Sequence, residues 1–306
     1  MPDAPRVSVV MPVFEAERYL AEAVRSILGQ TYADFELLVF DDGSRDRSRA
    51  ILRELAAGDA RIRVFEEAHA GYVPWLNRGL ELARGEFFAR MDADDVSLPE
   101  RFARQVRFLD EHPEVVALGT RALYVDSDGD PIAATDKPLD HDEIDRQQIA
   151  PGCRGSLITH PTAMLRRSAA IAAGGYRTEA TLVDDLDLFL RMAERGRLAN
   201  LPDVLLHYRI HPGSLGVARR AQQIEAVRRV VREARRRRGL AAHEVPHEVP
   251  VDAPPTANGD DTRRWIISAA RENGFVHTAR KHALCAWRAR PWSRASWQLL
   301  RQAWLG

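Results

Sequence analysis

The sequence predicts an α/β protein: a mostly parallel sheet with helices on both faces, followed by a helical C-terminal tail. Three observations carry this expectation. Apolar, β-branched runs alternate four times with segments of helical spacing across roughly the first 111 residues, as in strand–helix–strand units of a parallel sheet. Those runs are apolar throughout, as strands covered on both faces are. The last 44 residues, 263–306, hold five of the six tryptophans and carry nine basic residues against one acid, Glu272.

Element by element, "VSVVMPV" (Val7 to Val13) reads as a first buried strand. Glu15 to Leu28 follow with helical spacing at Tyr19, Leu20, Ala23, Val24 and Ile27. "FELLVF" (Phe35 to Phe40) is a second strand, and Ser44 to Ala57 a second helix. "RIRVFE" is a third strand, Val73 to Ala83 a helix, "EFFARM" a fourth strand, and Pro99 to Asp110 a helix. After Glu111 the rhythm changes. "EVVALGTRALYVD" and "DPIAAT" read as strands joined by "SDGD", Asp140 to Ile149 as a helix, and "GSLITHPTAMLRR" as containing a strand. Val183 to Gly196 is a helix closed by glycine, "DVLLHYRIH" a last strand, and Ala218 to Leu240 an arginine-rich helix. Residues 1–240 thus form the main domain, with a first half at about 1–111 and a second at about 112–217. A Pro-rich linker at 241–262 and the tail at 263–306 follow.

Composition narrows the function. At 45% hydrophobic and 29% charged the chain has a globular profile, and a formal net charge of zero gives no global pull toward nucleic acid. Two cysteines, Cys153 and Cys285, make no disulfide framework and fit a reducing cytoplasm. No apolar run approaches the roughly 20 residues of a membrane span, and "MPDAPRVSVV" lacks a signal peptide's basic start and apolar core. Only Lys137 and Lys281 among 44 basic residues are lysine, which points to a GC-rich bacterial gene.

Two acidic clusters fall at strand ends, where open parallel sheets bind ligands. Asp41-Asp42-Gly43-Ser44 follows the second strand. Asp92-Ala93-Asp94-Asp95 follows the fourth and packs three carboxylates behind an apolar run. Such charges repel, and burial strengthens the repulsion; either the site is fully solvated or a cation belongs there. No G-x-G-x-x-G follows the first strand, where "PVFEAERYL" stands, and there is no Walker lysine. Carboxylates hold phosphate only through a cation, and oxygen ligands favour Mg²⁺ or Mn²⁺. No protein cation is assigned to Asp92 and Asp94 from their sequence neighbourhood. Plain structural readings stand beside these. "DDGS" also reads as a turn with Ser44 capping the next helix, "DADD" as a solvated loop, "VDDLD" as helix N-terminal charge, and His211 as a surface or packing histidine.

Taken together, the segments resemble the inverting glycosyltransferases of family 2, with the GT-A fold and its Rossmann-like sheet. The resemblance runs from about Val7 to Ser214 through "SVVMPVFEAERYLAEAVRSILGQTY", "FELLVFDDGSRDRS", "LNRGLELARGEFFARMDADD", "SLPERFARQVRFLDEHPEV", "HPTAMLRRS", "GGYR", "VDDLDLFLRMAERG" and "YRIHPGSLG", in the family's order. It implies transfer of a sugar from a nucleoside-diphosphate sugar to an acceptor hydroxyl. By position it implies that Pro12, Val13, Phe14 and Glu15 line the nucleotide pocket and that Asp42 accepts from the base. Asp92 and Asp94 match a D-x-D motif, with Asp92 toward ribose or metal, Asp94 a ligand of Mn²⁺ or Mg²⁺, and Asp95 binding through water. His211 matches a position that reaches metal or diphosphate. Asp184 stands where the family has glutamate, and Asp185 is the expected catalytic base, the two remaining alternatives. Around "HAGYVPWLNRGL" the only basic residues are His69 and Arg78, and the family's phosphate contact there is unassigned.

The chemistry fits those residue types. A diphosphate leaves once a Lewis acid neutralises its charge, and an acceptor hydroxyl needs a positioned carboxylate to take its proton. A retaining covalent route needs a second carboxylate at the sugar, and none is seen. Two other classes stand as alternatives: a non-catalytic nucleotide-sugar-binding module, and a nucleotidyltransferase, whose basic phosphate loop the chain lacks. The implied acceptor is a glycan or lipid-linked saccharide of a bacterial envelope or exopolysaccharide pathway. The tail, with Arg228, Arg229, Arg232 and the run at 235–238, suits peripheral contact with the inner face of a membrane. Packing on the domain or in a homodimer is the competing reading.

Overall fold

A computed structural model of the chain describes residues 4–150, 152–153, 155–211, 220–241 and 259–305. β1 (Val7–Val13) lies inside the sheet, parallel to β2 (Phe35–Asp41) on one side and to β4 (Phe87–Arg90) on the other; β3 (Ile62–Glu66) adds beyond β2. Strand residues alternate between two cores, as a period of two requires. Val7, Val9 and Met11 meet α1 (Leu20–Leu28), α2 (Ser48–Gly58) and α4 (Arg101–Glu111) through Val24, Leu52 and Phe102. Val10, Leu38 and Phe88 meet α3 (Tyr72–Leu82) and α7 (Asp184–Met192) through Leu76 and Phe189. Both faces are therefore covered, which accounts for the unbroken apolar runs.

The second half turns the sheet over. β8 (Met164–Arg166) pairs antiparallel with β4 and with β6 (Val115–Val125), β6 lies parallel to β9 (Arg197–Arg209), and β7 (Pro131–Ala134) pairs antiparallel with β6. A strand of two residues, β5 (Val96–Ser97), pairs antiparallel with β9 and closes the sheet order β3-β2-β1-β4-β8-β6-β9-β5. α5 (His141–Gln148) is capped by Asp140, which accepts from Glu143 N at 3.0 Å. α6 (Arg167–Ala172), like β5, is absent from the sequence reading; both are too short to carry a period.

Several helices begin later than expected: α1 at Leu20 rather than Glu15, α2 at Ser48 rather than Ser44, α4 at Arg101 rather than Pro99. In the first two cases the missing turn is a loop held by side chains. Glu15 N donates to Ser44 Oγ at 3.0 Å, Ala16 N to Ser48 Oγ at 3.0 Å, and Glu17 N to Asp46 Oδ2 at 2.9 Å. Ser44 thus ties two loops together instead of capping a helix.

α8 (Arg220–Arg237) lies on α7, with Val227 and Val231 against Leu186 and Leu190. The arginine run is largely consumed there. Arg235 donates to Ile149 O at 3.0 Å, Arg237 pairs with Glu194 at 3.0 Å and Arg238 with Asp145 at 2.7 Å. The Pro-rich stretch falls mostly in 242–258, outside the described residues. The tail is three helices, α9 (Gly259–Glu272), α10 (Val276–Ala289) and α11 (Arg294–Leu305). It does not stand apart from the main domain. Ile266, Ile267, Ala279 and Ala283 join Ile132 and Ile210 in one cluster, and Trp265 meets Tyr124 edge-on at 5.8 Å.

Candidate active site

The C-terminal ends of β1, β2 and β4 carry Pro12 to Glu15, Asp42 and Asp92 to Asp95, while His211 follows β9 and Asp184 and Asp185 open α7. Asp42 N donates to Val13 O at 2.8 Å, Pro12 sits opposite Phe40 in the register, and half-exposed Phe14 lies against the His69 ring at 4.5 Å. Glu15 takes a left-handed backbone with φ of 50°, and its carboxylate accepts from Arg45 N. Gly43 is required by geometry: its φ is 78°, and a Cβ there would meet His69 N at 2.9 Å. Buried Asp42 is fully engaged. Oδ1 accepts from Ala70 N at 2.7 Å and the Trp75 indole at 2.7 Å; Oδ2 accepts from Gly71 N at 3.0 Å and faces His69 Nδ1 at 2.9 Å.

Asp92, Asp94 and Asp95 offer ligand oxygens all within 4.8 Å of one another. His211 Nε2 lies 2.9 Å from Asp94 Oδ2, brought there by the end of β9. From the same strand Arg209 donates its backbone N–H to Asp95 Oδ1 at 2.8 Å and its Nε to Asp94 O at 2.8 Å. One expectation is corrected here: a protein cation does stand beside Asp92. It is buried Arg90, two residues earlier on β4, whose guanidinium pairs with the Asp92 carboxylate. Burial still raises Asp92 above the usual carboxylate range, with Arg90 pulling against it and Asp94 adding to it. Burial, then Asp94 and Asp92, raise Asp95 well above that range, and its Oδ2 is buried without a hydrogen-bond partner. Hard oxygen donors with an adjacent imidazole and one unsatisfied buried oxygen fit a divalent cation such as Mn²⁺ or Mg²⁺. Wholly buried Arg101 pins the strand below, donating to Arg90 O at 2.9 Å; burial pulls its pKa down to about 9.

None of the three acids opening α7 stands at the N-cap, which is Val183 and makes no side-chain bond. Asp187 pairs with Arg191 at 2.6 Å. Asp184 is buried, and its Oδ1 accepts from the Tyr72 hydroxyl at 2.6 Å, which in turn accepts from Leu182 N at 3.2 Å. Leu182 itself sits at φ 81°, a strained position for a branched side chain, two residues before Asp184. Asp185 is partly exposed and accepts only from Leu186 N, at 2.8 Å. Burial, and then the neighbouring Asp184, push Asp185 up to about 7. Burial also raises Asp184, to about 6, against the pull of Tyr72 and Arg90. His160 lies with Nδ1 3.9 Å from Asp184 and Nε2 3.1 Å from the Tyr176 hydroxyl; burial, then Arg90, hold it well below its usual value, hence neutral. Arg90 acts electrostatically on both Asp92 and Asp184 and so joins the two acidic groups.

The sequence model of the family "Glycosyl transferase family 2" matches residues 8–173. The chain belongs to glycosyltransferase family 2. Its relatives include the putative glycosyltransferase EpsE of Bacillus subtilis, 34% identical over 72% of this chain and 78% of EpsE. Another is the amylovoran biosynthesis glycosyltransferase AmsE of Erwinia amylovora, 32% identical over 66% of this chain and 75% of AmsE. A solved structure of similar fold is the mannosyltransferase PcManGT from Pyrobaculum calidifontis in complex with GDP-Man and Mn²⁺. Its TM-score is 0.56 at 21% identity, over 99% of this chain and 86% of that one. This glycosyltransferase therefore has the GT-A fold, and relatives of it serve bacterial polysaccharide biosynthesis.

Arg90, Tyr72, His160, Tyr176 and Arg101 are absent from the sequence reading. Two carried a signal. An arginine inside the apolar run "EFFARM" needs a buried partner, and His160 stands in "HPTAMLRR". The rest meet their partners only through the fold: Tyr72 and Asp184 are 112 residues apart.

Proposed function

We propose that the chain transfers a sugar with inversion from a nucleoside-diphosphate sugar to an acceptor hydroxyl, with Asp185 as the base. The observation that carries this is the state of the α7 acids. None sits at the N-cap, Asp185 takes a single first-turn amide, and this partly exposed member of the pair has a carboxyl raised toward neutrality, the condition of an effective general base. Buried Asp184, bonded to the Tyr72 hydroxyl, fixes the start of the helix that carries Asp185.

On the donor side, residues 1–111 supply the pocket and residues 112–217 the acceptor face. Phe14 offers a ring to the nucleobase. Asp42 has one partner that a base N–H can replace without unmaking the loop: the His69 side chain, which is 61% exposed, whereas Ala70 N and Gly71 N belong to the loop backbone. Asp94, Asp92 and His211 would hold Mn²⁺ or Mg²⁺, which supplies Lewis-acid neutralisation of the leaving diphosphate. Arg90 keeps Asp92 oriented and holds positive charge between the two acidic groups.

The acceptor is a glycan or lipid-linked saccharide of an envelope or exopolysaccharide pathway, a reading supported by the amylovoran relative. The place of work is the cytoplasmic side of the membrane. Among the described residues no helix is long and apolar enough to cross a bilayer. The test is incubation with a panel of nucleotide sugars and Mn²⁺, scoring free nucleoside diphosphate and the product anomer. Release of diphosphate with inverted product is expected. Pyrophosphate release, binding without turnover, or a retained anomer overturns the reading.

A further inference from the structure

We propose that the outer face of α10 and α11 docks on an anionic lipid bilayer. Trp292 is 96% exposed, Trp297 52% and Trp304 46%. Exposed indoles on a folded chain mark a surface used for contact. They are not surplus core: the opposite side of α11 buries Leu299 and Ala303 in the tail's own cluster. On α11, Arg294, Trp297, Arg301 and Trp304 are spaced by three, four and three residues, a single helical stripe. Its two tryptophans lie about 10 Å apart along the axis. The indoles are held in place, Trp297 donating to Pro291 O at 2.9 Å and Trp304 lying 5.2 Å from the Arg280 guanidinium.

Charge selects the occupant. From Asn273 to Gly306 there is no acid. Lys281, the inward cation, is consumed by Asp126, Asp128 and Asp130 at 2.7, 2.9 and 2.6 Å. Arg280, Arg288, Arg294 and Arg301 are exposed, and none of them forms an ion pair among the described residues. A second copy on this face by two-fold symmetry would set like charges against each other. A polyanion without bases would take the arginines and leave the indoles wet; a single nucleic-acid strand, which stacks on indoles, is one of the outcomes tested below. An anionic bilayer takes both, the indoles at the headgroup level and the guanidinium groups among lipid phosphates. The face is also tied to the site. Lys281 on α10 holds Asp126, whose carbonyl accepts from Arg209 at 3.5 Å, and Arg209 donates to Asp94 O. A chain docked this way works at a lipid surface, whatever sugar it transfers.

The test is sedimentation of the full-length chain with phosphatidylglycerol-containing vesicles, with phosphatidylcholine vesicles as comparison, at low and high salt. Melting temperature and donor-nucleotide affinity serve as folding controls. Salt-sensitive binding to the anionic vesicles alone is expected, with a blue shift of tryptophan emission. R294Q/R301Q should lower partitioning on the order of 10-fold, and W292S/W297S/W304S should abolish the blue shift with both controls unchanged. Failure to sediment at low salt overturns the proposal. So do equal binding by the variants, a concentration-dependent dimer that W292S/W297S/W304S dissociates, and capture of single-stranded nucleic acid in preference to vesicles. None of these outcomes depends on turnover, and they leave the transfer reaction to its own assay.

Discussion

Two loops of this chain crowd aspartates at strand ends, and the fold treats them in opposite ways. Asp126, Asp128 and Asp130, beyond β6, surround the Lys281 ammonium, while Asp126 also accepts from His282 at 2.8 Å and from Asp128 N and Asp130 N. Burial pushes Asp126 up, but His282, Lys281 and those amides hold it well below the ordinary carboxylate range. Asp92, Asp94 and Asp95, beyond β4, have no lysine. Arg90 takes Asp92, one Asp95 oxygen has no partner, and Asp92 and Asp95 are raised rather than lowered. The first cluster is complete within the protein. The second has residual demand for positive charge, and that demand, not the number of acids, separates a ligand site from a structural one.

The largest expected effect comes from breaking the incomplete cluster. Asp94→Asn should remove the rise in melting temperature that Mn²⁺ gives the parent chain and lower transfer on the order of 10³-fold or more, the several kcal/mol of a lost Lewis acid. Full transfer in EDTA would contradict the comparison. Asp185→Asn should leave donor and metal affinity nearly unchanged and lower turnover by about 10²–10⁴-fold. If Asp185→Asn turns over normally and Asp184→Asn is inactive, the base is Asp184. The raised carboxyl also sets a pH dependence. The base acts unprotonated, so turnover should climb as pH rises through about 7, and bound cation should move that limb toward acid. A pH–rate profile flat from acid to neutral would exclude the assignment.

Smaller effects sharpen the contrast. His211→Ala should weaken apparent Mn²⁺ affinity by about 10–100-fold through loss of the Asp94 contact, read by titration calorimetry. Lys281→Met should leave the Mn²⁺ response intact but cost about 1–3 kcal/mol of stability, discounted because Lys281 is 24% exposed. Asp126 is more acidic folded than unfolded. It therefore contributes stability above the ordinary aspartate value and loses it as pH falls toward its depressed folded value. In Lys281→Met that acid-side loss should be smaller and end at higher pH, seen as a pair of melting curves that converge at low pH.

The donor half was largely legible because its signals are local. Four strand–helix repeats lie in order along the chain, and both acidic motifs sit at strand ends where a parallel sheet binds ligands. Asp94 and His211 were also named, although 117 residues separate them, because both stand in recognisable motifs. What stayed hidden depends on long-range pairing without periodicity. β5 is two residues long and exists only through β9. Arg90 looked like part of an apolar strand, and its partner Asp92 was read as lacking a cation. The tail's basic residues looked alike in sequence, yet Arg237, Arg238 and Lys281 turn inward to acids while the α11 arginines do not. Only the packing of α8 and α10 separates those roles.

One helix touches both acidic regions. The first turns of α3 carry Trp75, bonded to Asp42 in the proposed nucleotide pocket, and Tyr72, bonded to Asp184 beside the proposed base. These contacts are made from a single rigid rod, three residues apart. If Asp42 meets the nucleobase and Asp185 is the base, as proposed, donor binding and proton abstraction lean on the same rod. A substitution at Trp75 that reseats the start of α3 is then expected to reach Tyr72 and Asp184 as well, read as a change in turnover beside the change in donor affinity.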